Sequence, residues 1–339
     1  MSDIRSLTLE ELTELVQERG WESYRARQLF RWLWQKGCES FDEMTNLSKD
    51  FRAALSRDFE IGRLETLRRL RASDGTVKFT FRLHDGKLIE SVYIPEDSRR
   101  TVCVSTQVGC SLGCKFCATG RQGFYRNLGW HEIAGQVLAI RQFSKTVTNV
   151  VFMGMGEPFL NYDATAQATR VINSPDGLAI GARHITVSTA GIPDAIRAFA
   201  RLGWQVRLAL SLNAADDRTR SWLMPVNRRF PLAEVIVAIR DYTAKTGRRV
   251  TFEYVLIRGI NDRPKDITHL ATLLKGIPCK LNLIPLNPFP GCPYEPPSPA
   301  AVEKFARELY PLLPAVTIRK SKGATILAGC GQLASVGES

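Results

Sequence analysis

Eight cysteines lie in this 339-residue chain, and four of them, Cys103, Cys110, Cys114 and Cys117, fall within the fifteen residues 103–117. Cys110, Cys114 and Cys117 are spaced C-x3-C-x2-C in a loop that also holds Gly109, Gly113 and Gly120. A structural zinc site asks for four ligands, usually as two separated pairs, and the four histidines, His84, His131, His184 and His269, show no such pairing. Three thiolates suit instead a [4Fe–4S] cluster that lacks one protein ligand, because the unligated iron is then free to bind a substrate. Cys330 lies near the C-terminus in Gly-Cys-Gly. A thiol between glycines is exposed, and the basic run Arg319–Lys322 favours its thiolate if it folds nearby. Cys38, Cys279 and Cys292 carry no pattern and read as idle.

Composition narrows the setting for that chemistry. A 339-residue chain with 44% hydrophobic content buries a full core and is long enough for roughly two domains. The charged, periodic start MSDIRSLTLEELTELV is no signal peptide, and no run of about 18 apolar residues occurs, which predicts a cytosolic protein without a membrane segment. A reducing compartment argues against a disulfide framework and in favour of metal binding or catalysis. The formal charge of +12, from 46 Lys and Arg against 34 Asp and Glu, is compatible with a polyanionic partner.

Periodicity then supplies the elements that hold these residues. Residues 1–60 read as short amphipathic helices: a capping box from Thr8 to Glu11, a second helix ending at Gly37, and a third after Ser48 with Phe51, Leu55 and Phe59 on one face. Trp32 and Trp34 cannot share a helix face, which leaves one free to look outward; the pair reads as core ahead of a role in stacking on RNA. From 76 to 94 the period changes to two and Asp85-Gly86 marks a hairpin turn. Beyond residue 100, strands near 101–105, 148–153, 184–189, 206–212, 250–257 and 280–286 alternate with helical patterns. That is a parallel sheet, either a partial barrel or a doubly wound one. Glycine-rich and polar stretches follow the strands: the cysteine loop, GMGEP, STAG, SLNA and LNPFPG. Parallel folds build their sites at the carboxyl ends of strands, so these five loops are expected to face one cavity.

C-x3-C-x2-C after the first strand of a βα repeat resembles the radical S-adenosylmethionine (SAM) superfamily. Together with QGFYRNL, FMGMGEPFLN, LSLNAADDRTR, LMPVN, LIPLNPFPG and GCGQL, the chain closely resembles the adenine-C2 RNA methyltransferase family (RlmN) and its adenine-C8 sister (Cfr). The resemblance covers essentially the whole chain. It implies an α/β fold, a partial (β/α)6 radical SAM barrel (101–339) with an N-terminal helical accessory domain (1–75) for RNA and a linking β-hairpin (76–100). It puts Cys110, Cys114 and Cys117 on the cluster, and Gly156, Glu157, Ser188, Ser211, Leu212, Asn213 and Asn287 around S-adenosylmethionine. Family members commonly carry His where this chain has Asn213.

The resemblance also implies a reaction. Adenine C2 is electron-poor, so polar methyl transfer fails there. The family uses two equivalents of S-adenosylmethionine: Cys330 takes a methyl group from the first, and the second yields a 5′-deoxyadenosyl radical that abstracts hydrogen from the methylated Cys330. The carbon radical adds to the base, giving a covalent RNA adduct. Glu90 matches the proton acceptor, and Cys103 matches the thiol that closes a transient disulfide with Cys330 to release the product. The implied partners are ribosomal and transfer RNA and an electron donor such as flavodoxin or ferredoxin, with the protein a monomer. Candidate phosphate contacts are Arg68, Arg69, Arg71, Arg121, Arg126, Arg228, Arg229, Arg248, Arg249 and Lys322. The rival readings are the C8 enzyme and a non-enzymatic iron–sulfur or zinc RNA-binding module.

Overall fold

The computed structural model describes residues 1–334. Its frame is a ten-stranded sheet whose strands lie side by side in chain order. They are β1 (Glu65–Arg71), β2 (Val77–Arg82), β3 (Leu88–Pro95), β4 (Arg100–Cys103), β5 (Asn149–Phe152), β6 (Ile185–Thr189), β7 (Arg207–Ser211), β8 (Val250–Leu256), β9 (Cys279–Pro285) and β10 (Val316–Ile318). Strands β1 to β4 pair antiparallel, and from β4 onward every pairing is parallel. A doubly wound sheet reverses its strand order part-way, where its site forms. No reversal occurs here, so the fold is the open, partial barrel.

The apolar composition of the parallel strands follows from their burial on both faces. Leu208, Ala209 and Leu210 of β7 are consecutive and all buried, as are Phe252, Glu253 and Tyr254 of β8. The antiparallel strands alternate instead. Val77, Phe79 and Phe81 of β2 enter the core, where Phe79 meets Phe143 edge-on at 5.2 Å. Lys78, Thr80 and Arg82 on the same strand point into a groove on the opposite face.

Three helices open the chain, α1 (Leu9–Glu18), α2 (Tyr24–Arg31) and α3 (Lys49–Asp58). The Thr8 hydroxyl accepts from the Glu11 amide at 3.2 Å and the Glu11 carboxylate accepts from the Thr8 amide at 2.7 Å, closing the expected capping box. A π turn over Trp32–Lys36 extends α2 to Gly37, whose φ of 69° ends it. Trp34 is fully buried and packs 5.4 Å from Trp130, whereas Trp32 is half-buried with its indole N–H on Asn46. Phe59, placed on the third helix by spacing, falls past its end and joins a two-residue pairing with Ser2–Asp3.

The remaining helices are α4 (Ala118–Gln122), α5 (Trp130–Ser144), α6 (Tyr162–Asn173), α7 (Pro193–Arg201), α8 (Asp217–Leu223), α9 (Leu232–Thr246), α10 (Pro264–Leu274) and α11 (Pro299–Leu309). Six of them, α5, α6, α7, α9, α10 and α11, carry the crossovers between parallel strands. The N-terminal helices lean on α5, where Gln142 donates to the Gly37 carbonyl at 3.0 Å and Arg141 to the Gln35 carbonyl at 2.8 Å. No described helix is long and apolar enough to cross a membrane.

Candidate active site

The polar loops meet at the carboxyl ends of the strands. One cavity is walled by Cys110, Cys114 and Cys117 after β4, Gly156 and Glu157 after β5, Ser188 in β6, Ser211 and Asn213 at β7, and Glu253 of β8. Four of the five expected loops therefore face one space. The fifth, carrying Asn287, reaches an adjoining cavity.

The cysteine loop is built by close backbone approaches. Gly109 has φ +75°, and a Cβ there would stand 1.9 Å from the Gly123 carbonyl, which accepts from the Cys110 amide at 2.7 Å. Burial pushes the Cys110 thiol up to about 12, and it raises Cys114 and Cys117 as well; the neighbouring sulfurs add to each shift. Three crowded thiols of this kind shed their protons only to a cation that binds them. The donor set therefore fits iron. Glu157, also buried and pushed up by desolvation, accepts from the Phe159 amide at 3.1 Å and from the Ala190 amide at 2.8 Å, which turns its carboxylate toward the same cavity.

A second chamber adjoins the first. Cys103, the last residue of β4, lines it with Cys330, Arg319, Asn287 and Lys322. Cys330 borders both chambers. Burial raises the Cys103 thiol to about 12, the nearby Cys330 adds to this, and Arg319 opposes it. All eight cysteines are free thiols. The Cys330 carbonyl accepts from the Asn287 side chain at 3.2 Å, the Gly331 carbonyl from the Ala118 amide at 2.7 Å, and the Gln332 amide group donates to the Pro288 carbonyl at 2.6 Å. These bonds hold the C-terminal arm across the mouth.

Glu90 stands on β3 beneath that arm. One carboxylate oxygen is 3.0 Å from the Lys78 ammonium and the other accepts from the Ala334 amide at 3.0 Å. Lys78 also reaches the Leu327 carbonyl at 3.4 Å. Glu90 is 5% exposed, so it is not the surface carboxylate that a hairpin strand ordinarily carries. Burial raises its pKa, and Lys78 works against the rise.

The signature of the Radical SAM superfamily spans residues 104–271, and that of the ribosomal RNA large subunit methyltransferase N-terminal domain spans residues 2–61. The dual-specificity RNA methyltransferase RlmN of Anaeromyxobacter sp. (strain Fw109-5) is 48% identical over 99% of this chain and 91% of its own length. The RlmN of Syntrophobacter fumaroxidans is 46% identical over 97% of both chains. A radical SAM methyltransferase from Sphaerobacter thermophilus superposes with a TM-score of 0.93 at 46% identity, covering 98% of this chain and 99% of that one. The chain belongs to the RlmN family. It is therefore an enzyme of the radical SAM class, whose cofactors are a [4Fe–4S] cluster and S-adenosylmethionine.

Against the RlmN pattern, the structure places some candidates differently from others. Gly156, Glu157, Ser188, Ser211 and Asn213 line the cluster-side cavity, whereas Leu212 is buried behind it and offers its carbonyl to Arg220 at 2.9 Å. Asn213 has φ 59°, a left-handed conformation that Asn and His tolerate better than most residues, which accounts for either at this position. Its side-chain oxygen accepts from the Val255 amide at 2.9 Å and its amide group donates to the Met224 sulfur at 3.2 Å, so both ends of the side chain have protein partners. Asn287 likewise has its oxygen on Ser321 at 2.5 Å.

One site arginine escaped the sequence reading, and a second was read only as part of a basic run. Arg220 is wholly buried and donates to the Leu212, Ala190 and Ser211 carbonyls and to Asn227, tying the loops after β6 and β7 together; desolvation lowers its pKa to about 10. Its signal was the LSLNAADDRTR motif, where it stood among ordinary surface-type charges. Arg319 follows β10, a three-residue strand with no period to detect, and lines both chambers. The basic run from Arg319 to Lys322 does fold beside Cys330.

The RNA candidates also divide. Arg68 lines the groove across β1–β3 with Lys78, Arg82, Lys87 and Tyr125, where Lys87 lies 4.6 Å over the Tyr125 ring. Arg126 is held by Asp85 at 2.7 Å and Glu132 at 2.7 Å, and Arg69 turns to the other face over Phe143. Arg248 and Arg249 precede β8, at the end of the sheet opposite the mouth.

Proposed function

We propose that the protein methylates C2 of adenosine in 23S rRNA, and in tRNA at the adenosine 3′ of the anticodon, by way of a methylated Cys330 and a covalent RNA adduct. Cys110, Cys114 and Cys117 hold the cluster, and Gly156, Glu157, Ser188, Ser211 and Asn213 surround S-adenosylmethionine, with Leu212 backing the Ser211–Asn213 turn and Asn287 reaching the cofactor from the adjoining chamber. When bound, the cluster and one of two equivalents of S-adenosylmethionine supply a 5′-deoxyadenosyl radical. Cys330 attacks a sulfonium methyl through sulfur and afterwards carries the one-carbon unit to the base. Glu90 takes the ring proton. The odd electron of the adduct would return to the oxidised cluster; Cys103 then gives up its proton and attacks the Cys330 sulfur, the S–S bond forming as the sulfur–carbon bond breaks, and the electron pair left on the one-carbon unit takes a proton to complete the methyl group. The groove of Arg68, Lys78, Arg82 and Lys87 receives the RNA, with residues 1–75 as the accessory module, 76–100 as the link and 101–339 as the barrel. The protein acts as a monomer reduced by flavodoxin or ferredoxin.

The observation that carries this reading is the position of Cys330 between two chambers, one bearing the three-cysteine loop and the other Cys103. A thiol that must first accept a methyl group and later meet a second thiol needs that double frontage. The test is anaerobic reconstitution followed by mass spectrometry that maps the methylated carbon, on 23S rRNA fragments and tRNA. The parent gives 2-methyladenosine and Cys330→Ala gives none. A methyl group at C8, or equal product from the variant, overturns it.

A further inference from the structure

Around the outer side of the cysteine loop runs a rim that neither chamber nor groove uses. Lys115 lies between Cys114 and Cys117, its ammonium 4.5 Å from the centroid of the Trp222 ring. Trp222 is 40% exposed and meets Tyr294 edge-on at 5.7 Å. On the far flank Arg121 lies 5.3 Å over Phe289 and donates to the Gly291 carbonyl at 2.6 Å. The rim is fastened to the loop by the Lys115 amide, which donates to the Leu223 carbonyl at 2.9 Å. Beneath it, Phe116, Leu223, Met224, Ile257 and Leu286 form an apolar cluster of their own, against which Cys114 and Cys117 pack.

The rim thus combines an exposed indole, a tyrosine and cations, the residues that anchor protein interfaces. The two charges that stack on its rings, Lys115 and Arg121, are both positive. Arg228 and Arg229 are exposed nearby in sequence, and the acid beside Tyr294, Glu295, is paired with Arg258. RNA has a different requirement from whatever sits here, because its base must reach Glu90, which lies under the groove of β1–β3. An electron must instead reach Cys114 and Cys117, whose backbone neighbour is this rim.

We infer that the Lys115–Trp222–Tyr294 rim is the docking face for an acidic one-electron carrier protein. The inference rests on the radical reading under Proposed function, since only a reducible cluster needs such a partner. Positive charge steers the carrier, and the aromatic pair supplies the desolvated contact. Weak redox encounters need only a small face of this kind.

The test uses the reconstituted protein and its Trp222→Glu and Tyr294→Glu variants, with a bacterial flavodoxin as the probe. Binding of oxidised flavodoxin is measured directly, and bleaching of the cluster absorbance is followed with flavodoxin hydroquinone and, separately, with dithionite. Both variants should bind flavodoxin about tenfold more weakly and accept its electron about tenfold more slowly. Iron content, bleaching by dithionite and RNA affinity should stay at parent values. Parent rates with flavodoxin in both variants overturn the inference. Loss of RNA affinity with flavodoxin reduction unchanged overturns it too, and gives the rim to RNA. Binding and bleaching do not depend on S-adenosylmethionine cleavage, so a parent that bleaches yet releases no 5′-deoxyadenosine counts against the radical reading and not against the docking face.

Discussion

The mouth of the sheet has two halves that are fastened in different ways. On the parallel side, loops after β4 to β7 are clamped from within: Arg220 alone bonds three carbonyls and one side chain, and Glu157 caps the turn it sits in. On the antiparallel side, Glu90, Lys78, Cys103 and Cys330 meet where β2, β3 and β4 run under a C-terminal arm held by a handful of hydrogen bonds. The lesson is a division of labour. The half that carries the three-cysteine loop is locked by a buried cation, and the half that carries Cys330 rests on an arm fastened by separate hydrogen bonds.

Breaking the locked half should have the largest effects. Alanine at Cys110, Cys114 or Cys117 should leave the protein free of iron and colour and abolish 5′-deoxyadenosine formation, as read by iron analysis and chromatography. Arg220→Met removes a buried cation with four acceptors and should cost about 3–5 kcal/mol in denaturant unfolding, with a fall in S-adenosylmethionine affinity.

Changes in the other half should alter the course of reaction more than the fold. Lys78→Met removes the cation that opposes the raised pKa of Glu90. Glu90 must be ionised to take a proton, so activity rises with pH through its pKa, and losing Lys78 moves that acidic limb to higher pH. Lys78→Arg should leave the limb in place; a pH profile of product release in both variants checks the sign. The smallest effect is expected at Asn213. Asn213→His keeps a side chain suited to φ 59° and should change stability by less than about 1 kcal/mol, whereas Asn213→Val should cost about 1–2 kcal/mol more in the same unfolding assay.

Much of the parallel half was legible in the sequence because its signals are local. All six expected strands are present, since an apolar, β-branched run is buried wherever it sits in a parallel sheet. The loops that follow them declare themselves through glycine and polar residues. The antiparallel half was harder to read. β1, with the sequence ETLRRLR, carries mostly charged residues because one of its faces lines an open groove, so no apolar alternation marks it. β10 is too short to show a period. Glu90 looked like any polar residue of a hairpin strand, because what buries it is the arm some 240 residues later, contacted through Ala334. Arg220 was hidden for another reason: three of its acceptors, Leu212, Ser211 and Asn227, are near it in sequence, but a charged run such as DDRTR does not show which charge turns inward.

The most direct test of the account is to stop the reaction with the arm still attached to RNA. Cys103→Ala leaves Cys330 and Glu90 intact but removes the thiol to which product release is assigned. Incubated anaerobically with RNA, S-adenosylmethionine and dithionite, then digested with nuclease and protease, it should yield a peptide in which the Cys330 sulfur is joined through one carbon to adenine C2. Free methylated RNA at the parent rate, or a linkage at any residue other than Cys330, contradicts the account.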